Sequence, residues 1–213
     1  MSQTEAFIQR LEALKEGDRS RLRRLAGMPL DHTLPGFDLF TGLWWPLREK
    51  NQFAPRRETS WLVAKLHAAF RVPHVRPDGG KGPTLPQVLA CCEPPHRACP
   101  NAAMLTGPPP ERDPARGQFL IAHRFRRRFD ALLQSPLAGL EPHLRWALSA
   151  VAGAIAGGHA KGIDWAQLLD HLSIWDRAEE HRRERDIRDI WAEAYLDSVK
   201  QANHQAQGEH HAD

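Results

Sequence analysis

Apolar residues recur at helical spacing along most of this chain, and no stretch alternates apolar and polar residues for long enough to predict a strand. The clearest example is the set Leu140, Leu144, Leu148, Val151 and Ile155, whose members lie three or four residues apart. On a helix such side chains gather on one face, which the fold can bury. The sequence therefore predicts an all-α fold, a single compact bundle of about eight helices.

Capping residues, glycines and prolines mark the predicted helix ends. The proline-rich residues 93–117 are predicted to form a long surface loop, because prolines forbid a continuous helix there. The last long helix is predicted over about residues 177–203, and the polar, His-bearing residues 204–213 are predicted to be disordered, which leaves one helical domain over residues 1–203. The predicted N-caps are Asp18, Thr59 or Ser60, Thr84 and Asp164, and the predicted breaks include Gly17, Pro46 and Gly157-Gly158.

Length and composition limit the class of protein. With 213 residues, 41% of them hydrophobic, the chain can form one domain with a sizeable core. Lys and Arg number 29 against 26 Asp and Glu, so the net charge of +3 is less informative than where the charges lie. No signal peptide and no bilayer-spanning stretch is visible. Together with an odd count of three cysteines, this favours a cytoplasmic protein with reduced thiols.

The most basic segment is residues 124–128, which read Arg-Phe-Arg-Arg-Arg. On a helix, Arg124, Arg127 and Arg128 fall toward solvent, and only Asp130 is close enough in sequence to neutralise them. Guanidinium groups without local partners are suited to bind phosphate, although a merely solvated helix face is the alternative. The apolar side of this helix is predicted to consist of Ile121, Phe125, Phe129, Leu132 and Leu133.

A second basic group lies near the N-terminus, where Arg21, Arg23 and Arg24 share a short predicted helix with Leu22 and Leu25. Two acid-poor patches on helices favour a track for a polyanion over scattered charges that serve solubility. No base-reading module is recognisable in the sequence, so the expected contacts are to the backbone of a nucleic acid, without sequence preference.

Metal and catalytic motifs are weak. Cys92, His96 and Cys99 have a spacing compatible with zinc, with Cys91 adjacent, but free thiols in a loop are the favoured interpretation. The sequence contains no HExxH, no GxSxG and no His-Asp pair in a context that would orient it. The chain is therefore predicted to hold no metal and no cofactor, and not to be an enzyme.

Four short motifs occur in the order and spacing of a known family. They are Gly17-Asp18-Arg19 followed by Leu22-Arg23-Arg24, Arg127-Arg128-Phe129 with Leu132-Leu133, Asp164-Trp165-x-x-Leu168-Leu169 with Trp175-Asp176, and Arg188-x-x-Trp191-Ala192-x-x-Tyr195. In this combination the chain resembles the CasB family, the small subunit of the type I-E CRISPR Cascade surveillance complex. The resemblance spans about residues 5–200.

The resemblance implies a helical, non-enzymatic subunit in antiviral defence. Members of the family sit as a pair along the ribonucleoprotein, beside the backbone that carries the crRNA. They contact nucleic acid without reading its sequence and help to hold the opened target. The implied partners are the crRNA-target DNA R-loop with its displaced strand, the backbone and large subunits of Cascade, and a second copy of the chain.

The basic surface of the family carries over to Arg23, Arg24, Arg127 and Arg128, and also to Lys65 and Arg145. Arg124 is added from helix geometry, and Arg21 from the second basic group. The predicted nucleic-acid-binding residues are therefore Arg21, Arg23, Arg24, Lys65, Arg124, Arg127, Arg128 and Arg145. The residues predicted to pack in the core rather than to stack on bases are Trp165, Trp175, Trp191 and Tyr195.

The leading hypothesis is thus a Cascade small subunit that binds the backbone of nucleic acid and stabilises the R-loop. One alternative is a structural spacer between protein subunits, with no nucleic-acid contact. Another is a zinc-dependent enzyme that uses Cys92, His96 and Cys99.

Overall fold

A computed structural model describes residues 2–30, 37–49, 54–77, 80–93, 114–176 and 185–209 of the chain. Side chains are described in these ranges except at 114–123 and 202–209. Nine α-helices make up most of the described residues. A short 3-10 helix, Leu137–Gly139, lies between the sixth and seventh helices. In chain order the helices are α1 (Gln3–Glu12), α2 (Glu16–Arg24), α3 (Phe37–Arg48), α4 (Arg57–Phe70), α5 (Leu85–Cys91), α6 (Pro114–Gln134), α7 (Glu141–Ala156), α8 (Trp165–Ser173) and α9 (Ile187–Glu209).

The helices enclose one apolar core, and the described residues form no strand, so the prediction of an all-α fold is confirmed. Helix α4 lies centrally, with contacts to α2, α7 and α8, while α5 packs on α9 and α6 packs on α7. The aromatic residues predicted to pack are indeed buried, and they are Trp165, Trp175, Trp191 and Tyr195. None of the helices within the described ranges combines the length and apolar character that a membrane crossing needs.

Several helix ends lie where the capping signals predict them. The Thr84 side chain accepts a hydrogen bond from the Gln87 N–H, and the Gln87 side chain accepts one from the Thr84 N–H, which completes a capping box for α5. Asp164 caps α8 by accepting from the Gln167 N–H. Helix α7 ends at Ala156, with Gly157 as its C-cap.

Other predicted helix ends were wrong. Helix α2 begins at Glu16, so that Gly17 and Asp18 lie inside its first turn, and its N-cap Lys15 makes no side-chain capping bond. Helix α3 continues through Pro46 to Arg48, because a proline near a helix end disturbs few backbone hydrogen bonds. Helix α4 begins at Arg57, whereas the predicted caps Thr59 and Ser60 lie buried within it.

The two longest helices also depart from their predicted bounds. Helix α6 begins at Pro114, inside the predicted loop, because a proline is tolerated in the first turn, where its missing N–H has no intrahelical partner. Residues 94–113 of that predicted loop lie outside the described residues. Helix α9 spans Ile187–Glu209 instead of residues 177–203, and Ala and Gln, which are good helix formers, are frequent in its last turns. Residues 177–184 and 210–213 lie outside the described residues.

Two connecting segments run side by side and are joined by backbone hydrogen bonds. The segment after α4 pairs with the segment before α8 through a single parallel bridge between His74 and Ile163. The buried Asp164 carboxylate also accepts a hydrogen bond of 3.0 Å from the Gly82 N–H. The two connections are thus held together although they are far apart in sequence.

Candidate nucleic-acid interface

Helix α6 separates apolar and basic residues as its sequence predicts. Phe129 and Leu132 are 3% and 0% exposed, whereas Arg124, Arg127 and Arg128 are exposed. Within the part of the chain that the structure describes, none of these three arginines forms an ion pair. Their positive charges therefore remain available to an external anion.

These arginines border a groove between α6 and α7 with a volume of about 640 Å³. The ring of Phe125 meets that of Trp146 edge to face, with 5.0 Å between the ring centres and 64° between the planes. The Arg128 guanidinium lies over the Trp146 ring, 5.9 Å from its centre. The surface formed by Arg124, Phe125, Arg127, Arg128 and Trp146 is called the α6 groove below.

Arg126 differs from its neighbours on α6. Its Nε donates a hydrogen bond of 2.6 Å to the side chain of Glu93, which is only 3% exposed. The Tyr195 hydroxyl donates to the other oxygen of Glu93, also at 2.6 Å. Burial, reinforced by the Glu93 carboxylate, raises the pKa of Tyr195. Arg126 thus fastens α6 to the end of α5 and to α9, and its role is in packing.

Arg145 lies on α7 next to Trp146 and extends the basic surface beyond the α6 groove. Its side chain is exposed, and the guanidinium sits 5.8 Å from the centre of the Phe70 ring at the end of α4. Arg145 therefore connects the α6 groove to the end of α4, against which α2 packs.

The α2 basic group, Arg21, Arg23 and Arg24, is only partly free of acidic partners. Arg23 pairs with Glu16 at 3.0 Å and also donates to the Ala68 carbonyl oxygen at 3.3 Å. The hydrogen bond from Arg23 lowers the pKa of Glu16. Arg21 pairs with Asp18 at 3.7 Å. Arg24 is exposed and has no partner among the described residues, so the expectation that these arginines are unneutralised holds only for Arg24.

Lys65 does not reach the surface. Its side chain is 2% exposed, and Nζ donates to the Glu141 carboxylate at 2.9 Å and to the Met28 carbonyl oxygen at 2.6 Å. The sequence places Lys65 on a helix but does not show that a glutamate far along the chain meets it there. Because this ammonium group is enclosed, Lys65 is left out of the interface proposed below.

The cysteine motif is described only in part, because His96 and Cys99 lie outside the described residues. The Cys92 thiol donates to the Val88 carbonyl oxygen, and burial raises its pKa to about 11. To bind zinc, this thiol would have to lose its proton, because the metal ligand is the thiolate. Across the described ranges, no three His, Cys, Asp or Glu side chains are grouped closely enough to hold a metal ion.

Sequence reasoning did not single out Trp146 and Phe125 as parts of an interface. Phe125 was assigned to the apolar side of α6, and it is half-buried there, at the edge of the α6 groove. The available signal was the position of Trp146, which follows an exposed arginine and falls outside the buried stripe of α7.

A family model for the CRISPR-associated protein Cse2 matches residues 18–196, which extend from α2 into α9. The chain belongs to the Cse2 family. Membership of the Cse2 family, whose members include the CasB proteins, implies a subunit of the CRISPR Cascade complex, in which the family is known for a structural role and not for catalysis.

Solved structures of Cse2 and CasB proteins share this fold. The crystal structure of CasB from M. ruber has a TM-score of 0.64 at 22% identity, over 95% of this chain and 97% of that chain. A CRISPR-associated protein of the Cse2 family from Thermus thermophilus has a TM-score of 0.57 at 25% identity, over 92% of this chain and 99% of that one. A crystal structure of CasB from Thermus thermophilus has a TM-score of 0.56 at 24% identity, also over 92% of this chain and 99% of that one. The comparison with curated protein sequences gives no significant match.

Proposed function

We propose that this Cse2 family member is a non-catalytic small subunit of a type I-E Cascade ribonucleoprotein in the cytoplasm. It binds the sugar-phosphate backbone without sequence preference and stabilises the R-loop formed by crRNA and target DNA, including the displaced strand. Its partners are the backbone and large subunits of Cascade and a second copy of the chain.

The observation that carries this proposal is the exposure of Arg124, Arg127 and Arg128 on one side of α6 without ion-pair partners among the described residues. Guanidinium groups bind phosphate oxygens through charge-assisted hydrogen bonds. Arg145 extends the same kind of surface to the end of α4, and Arg24 is exposed on α2, which packs on α4. This placement suits a chain of phosphates better than it suits one small anion.

Contacts of modest strength are sufficient for this function. Opening a target exchanges a DNA duplex for an RNA-DNA duplex of similar stability, so the free-energy balance lies close to zero. A few phosphate contacts to the opened strands then shift the balance toward the R-loop. Because these contacts release counterions, the stabilisation weakens as salt increases.

A structural spacer without nucleic-acid contact is the second candidate. It is favoured by the pairing of Arg21 and Arg23 with acids of their own helix. Trp45 and Leu196 also expose 56% and 49% of their surface, as expected for residues that meet another protein. Retention of single-stranded DNA or RNA by the isolated chain at low salt would exclude this candidate.

The test is the double variant Arg127→Glu with Arg128→Glu. We expect helicity and assembly into Cascade to be unchanged, and affinity for target DNA to fall about tenfold or more, whatever its sequence. The slope of log affinity against log salt should become shallower by about 0.7 to 0.9 for each phosphate that the variant no longer binds. Titration of the assembled complex at several salt concentrations measures both quantities.

A matched control is Arg10→Glu with Lys15→Glu, which makes the same change in net charge at exposed positions on and just after α1. This control should retain wild-type affinity and R-loop lifetime. The proposal is refuted if the α6 variant forms R-loops as stable as those of the wild type, or if the control is equally impaired.

A further inference from the structure

We infer that Trp146 is a stacking platform for an unpaired nucleobase, so that the α6 groove prefers single-stranded to double-stranded nucleic acid. This inference rests on the proposed function, because the arginines that border the groove are taken to bind the phosphates of the same strand. It adds a base contact to what is otherwise a backbone-only interface.

The α6 groove combines the two chemical groups that a single strand requires. Exposed guanidinium groups at Arg124 and Arg127 can hold phosphates, while the half-buried ring of Trp146 lines the same groove and can present a face to a base once the Arg128 guanidinium above it moves aside. The groove volume of about 640 Å³ lies within the range of pockets that enclose a small organic ligand, about 300–1,000 Å³. A groove of this volume has room for a nucleotide beside the arginines and the indole.

The indole N–H of Trp146 distinguishes this residue from the buried tryptophans. The Trp146 side chain is half-buried, and its indole N–H donates no hydrogen bond to any described residue. A packing tryptophan ordinarily satisfies its N–H within the fold. The tryptophans that do so, with a carbonyl oxygen or a histidine as acceptor, are Trp44, Trp61, Trp165, Trp175 and Trp191.

Contacts within the groove fix the ring of Trp146 without closing the site. The edge-to-face contact with Phe125 holds the indole against α6. The guanidinium of Arg128, at 5.9 Å from the ring centre, is near the outer limit of about 6 Å for a cation-π contact. Arg128 can therefore move to a phosphate, or stack on the far face of an inserted base, at little cost.

Stacking on Trp146 would distinguish single strands from duplexes. In a duplex both faces of each base are covered by its neighbours, and only the backbone is accessible to arginine. An unpaired base has a free face that an aromatic ring can cover, whatever the base. The displaced strand of an R-loop presents such bases.

The test measures binding of the isolated chain to an oligothymidylate, to a duplex of the same length and to a strand with abasic sites, by fluorescence anisotropy at low salt. For Trp146→Leu we expect about fivefold or greater loss of affinity for the oligothymidylate and no change for the duplex. Trp146→Phe should retain most of the affinity. The wild type should bind the abasic strand about as weakly as Trp146→Leu binds the oligothymidylate.

Trp45→Leu is the control, since Trp45 is an exposed tryptophan whose indole N–H, like that of Trp146, has no partner among the described residues, but it lies on α3. The inference is overturned if Trp146→Leu binds the oligothymidylate as the wild type does, if it loses duplex binding in proportion, or if Trp45→Leu is equally impaired. The comparison of abasic and normal strands uses the wild-type protein, so it tests base stacking even if the leucine of Trp146→Leu disturbs packing. Equal binding of the two strands by the wild type overturns the inference. If Arg127→Glu with Arg128→Glu also leaves binding unchanged, the proposed function fails as well.

Discussion

At the scale of single residues, the arginines of this protein fall into different environments that the sequence alone does not separate. Arg126 and Arg127 are neighbours, yet Arg126 pairs with the buried Glu93 while Arg127 faces solvent. Helical periodicity predicts which side of α6 each residue occupies. It does not predict that Glu93, far away in sequence, contacts the side of α6 that carries Arg126.

Lys65 provides a test of structural against binding roles. Replacement by alanine leaves the Glu141 carboxylate, which is 17% exposed, without its cation, and we expect a loss of about 3 kcal/mol in the free energy of unfolding. Urea denaturation measures this loss. The salt dependence of nucleic-acid binding should be unchanged under conditions in which the variant is folded.

The control for this prediction is Lys161→Ala, which removes an exposed lysine and should change stability by less than about 0.5 kcal/mol. A Lys65→Ala protein with wild-type stability and weakened nucleic-acid binding would contradict the structural role of Lys65 and return it to the interface.

At the scale of elements, the close packing of the segment after α4 against the segment before α8 requires a glycine at position 82. A Cβ atom on Gly82 would lie 1.9 Å from the Val75 carbonyl oxygen, far inside contact distance. Gly153, within α7, has nothing within 4 Å of the same position. Replacement of glycine by alanine should therefore change the free energy of unfolding in opposite directions at these two positions.

We expect Gly82→Ala to lower the free energy of unfolding by about 2 kcal/mol or more, because the backbone must move to admit the methyl group. Gly153→Ala should raise it by about 0.5 to 1 kcal/mol, because alanine favours the helix interior. Thermal unfolding of the two variants beside the wild type measures whether each substitution lowers or raises stability. Equal effects of the two substitutions would contradict the close approach at Gly82.

Helix boundaries show how far sequence reasoning reaches. Thr84 and Asp164 carry side chains that cap helices, and both ends were predicted correctly. The starts of α2 and α4 follow Lys15 and Arg56, which make no side-chain capping bond and so leave no signal in the sequence. Because α2 begins earlier than predicted, Glu16 comes within reach of Arg23, which the prediction had taken as unpaired.

At the scale of the whole molecule, α7 connects the basic surfaces. Trp146 contacts α6 through Phe125 and Arg128, while the adjacent Arg145 lies over Phe70 at the end of α4. Arg23 reaches the same end of α4 through the Ala68 carbonyl oxygen. This series of contacts leads from the α6 groove to α2, and under the proposed function it is the path that a bound strand would follow between them.

If one strand follows this route, the effect of Arg24→Glu should depend on strand length. The comparison uses a strand of about four nucleotides and one of about 16 nucleotides, the range of lengths that single-strand-binding domains cover, because only the longer one has chain to spare beyond the α6 groove. We expect Arg24→Glu to weaken binding of the longer strand severalfold and to leave the shorter one unaffected, as measured by anisotropy. An equal effect on both lengths, or none on either, would show that α2 lies off the path.

The hydrogen bond between Gly82 and Asp164 has a consequence for synthesis of the chain on the ribosome. The carboxylate that receives the Gly82 N–H is translated long after the glycine, so this hydrogen bond cannot form while most of the protein is still being made. The pairing of the segment after α4 with the segment before α8 therefore forms only after Asp164 has left the exit tunnel.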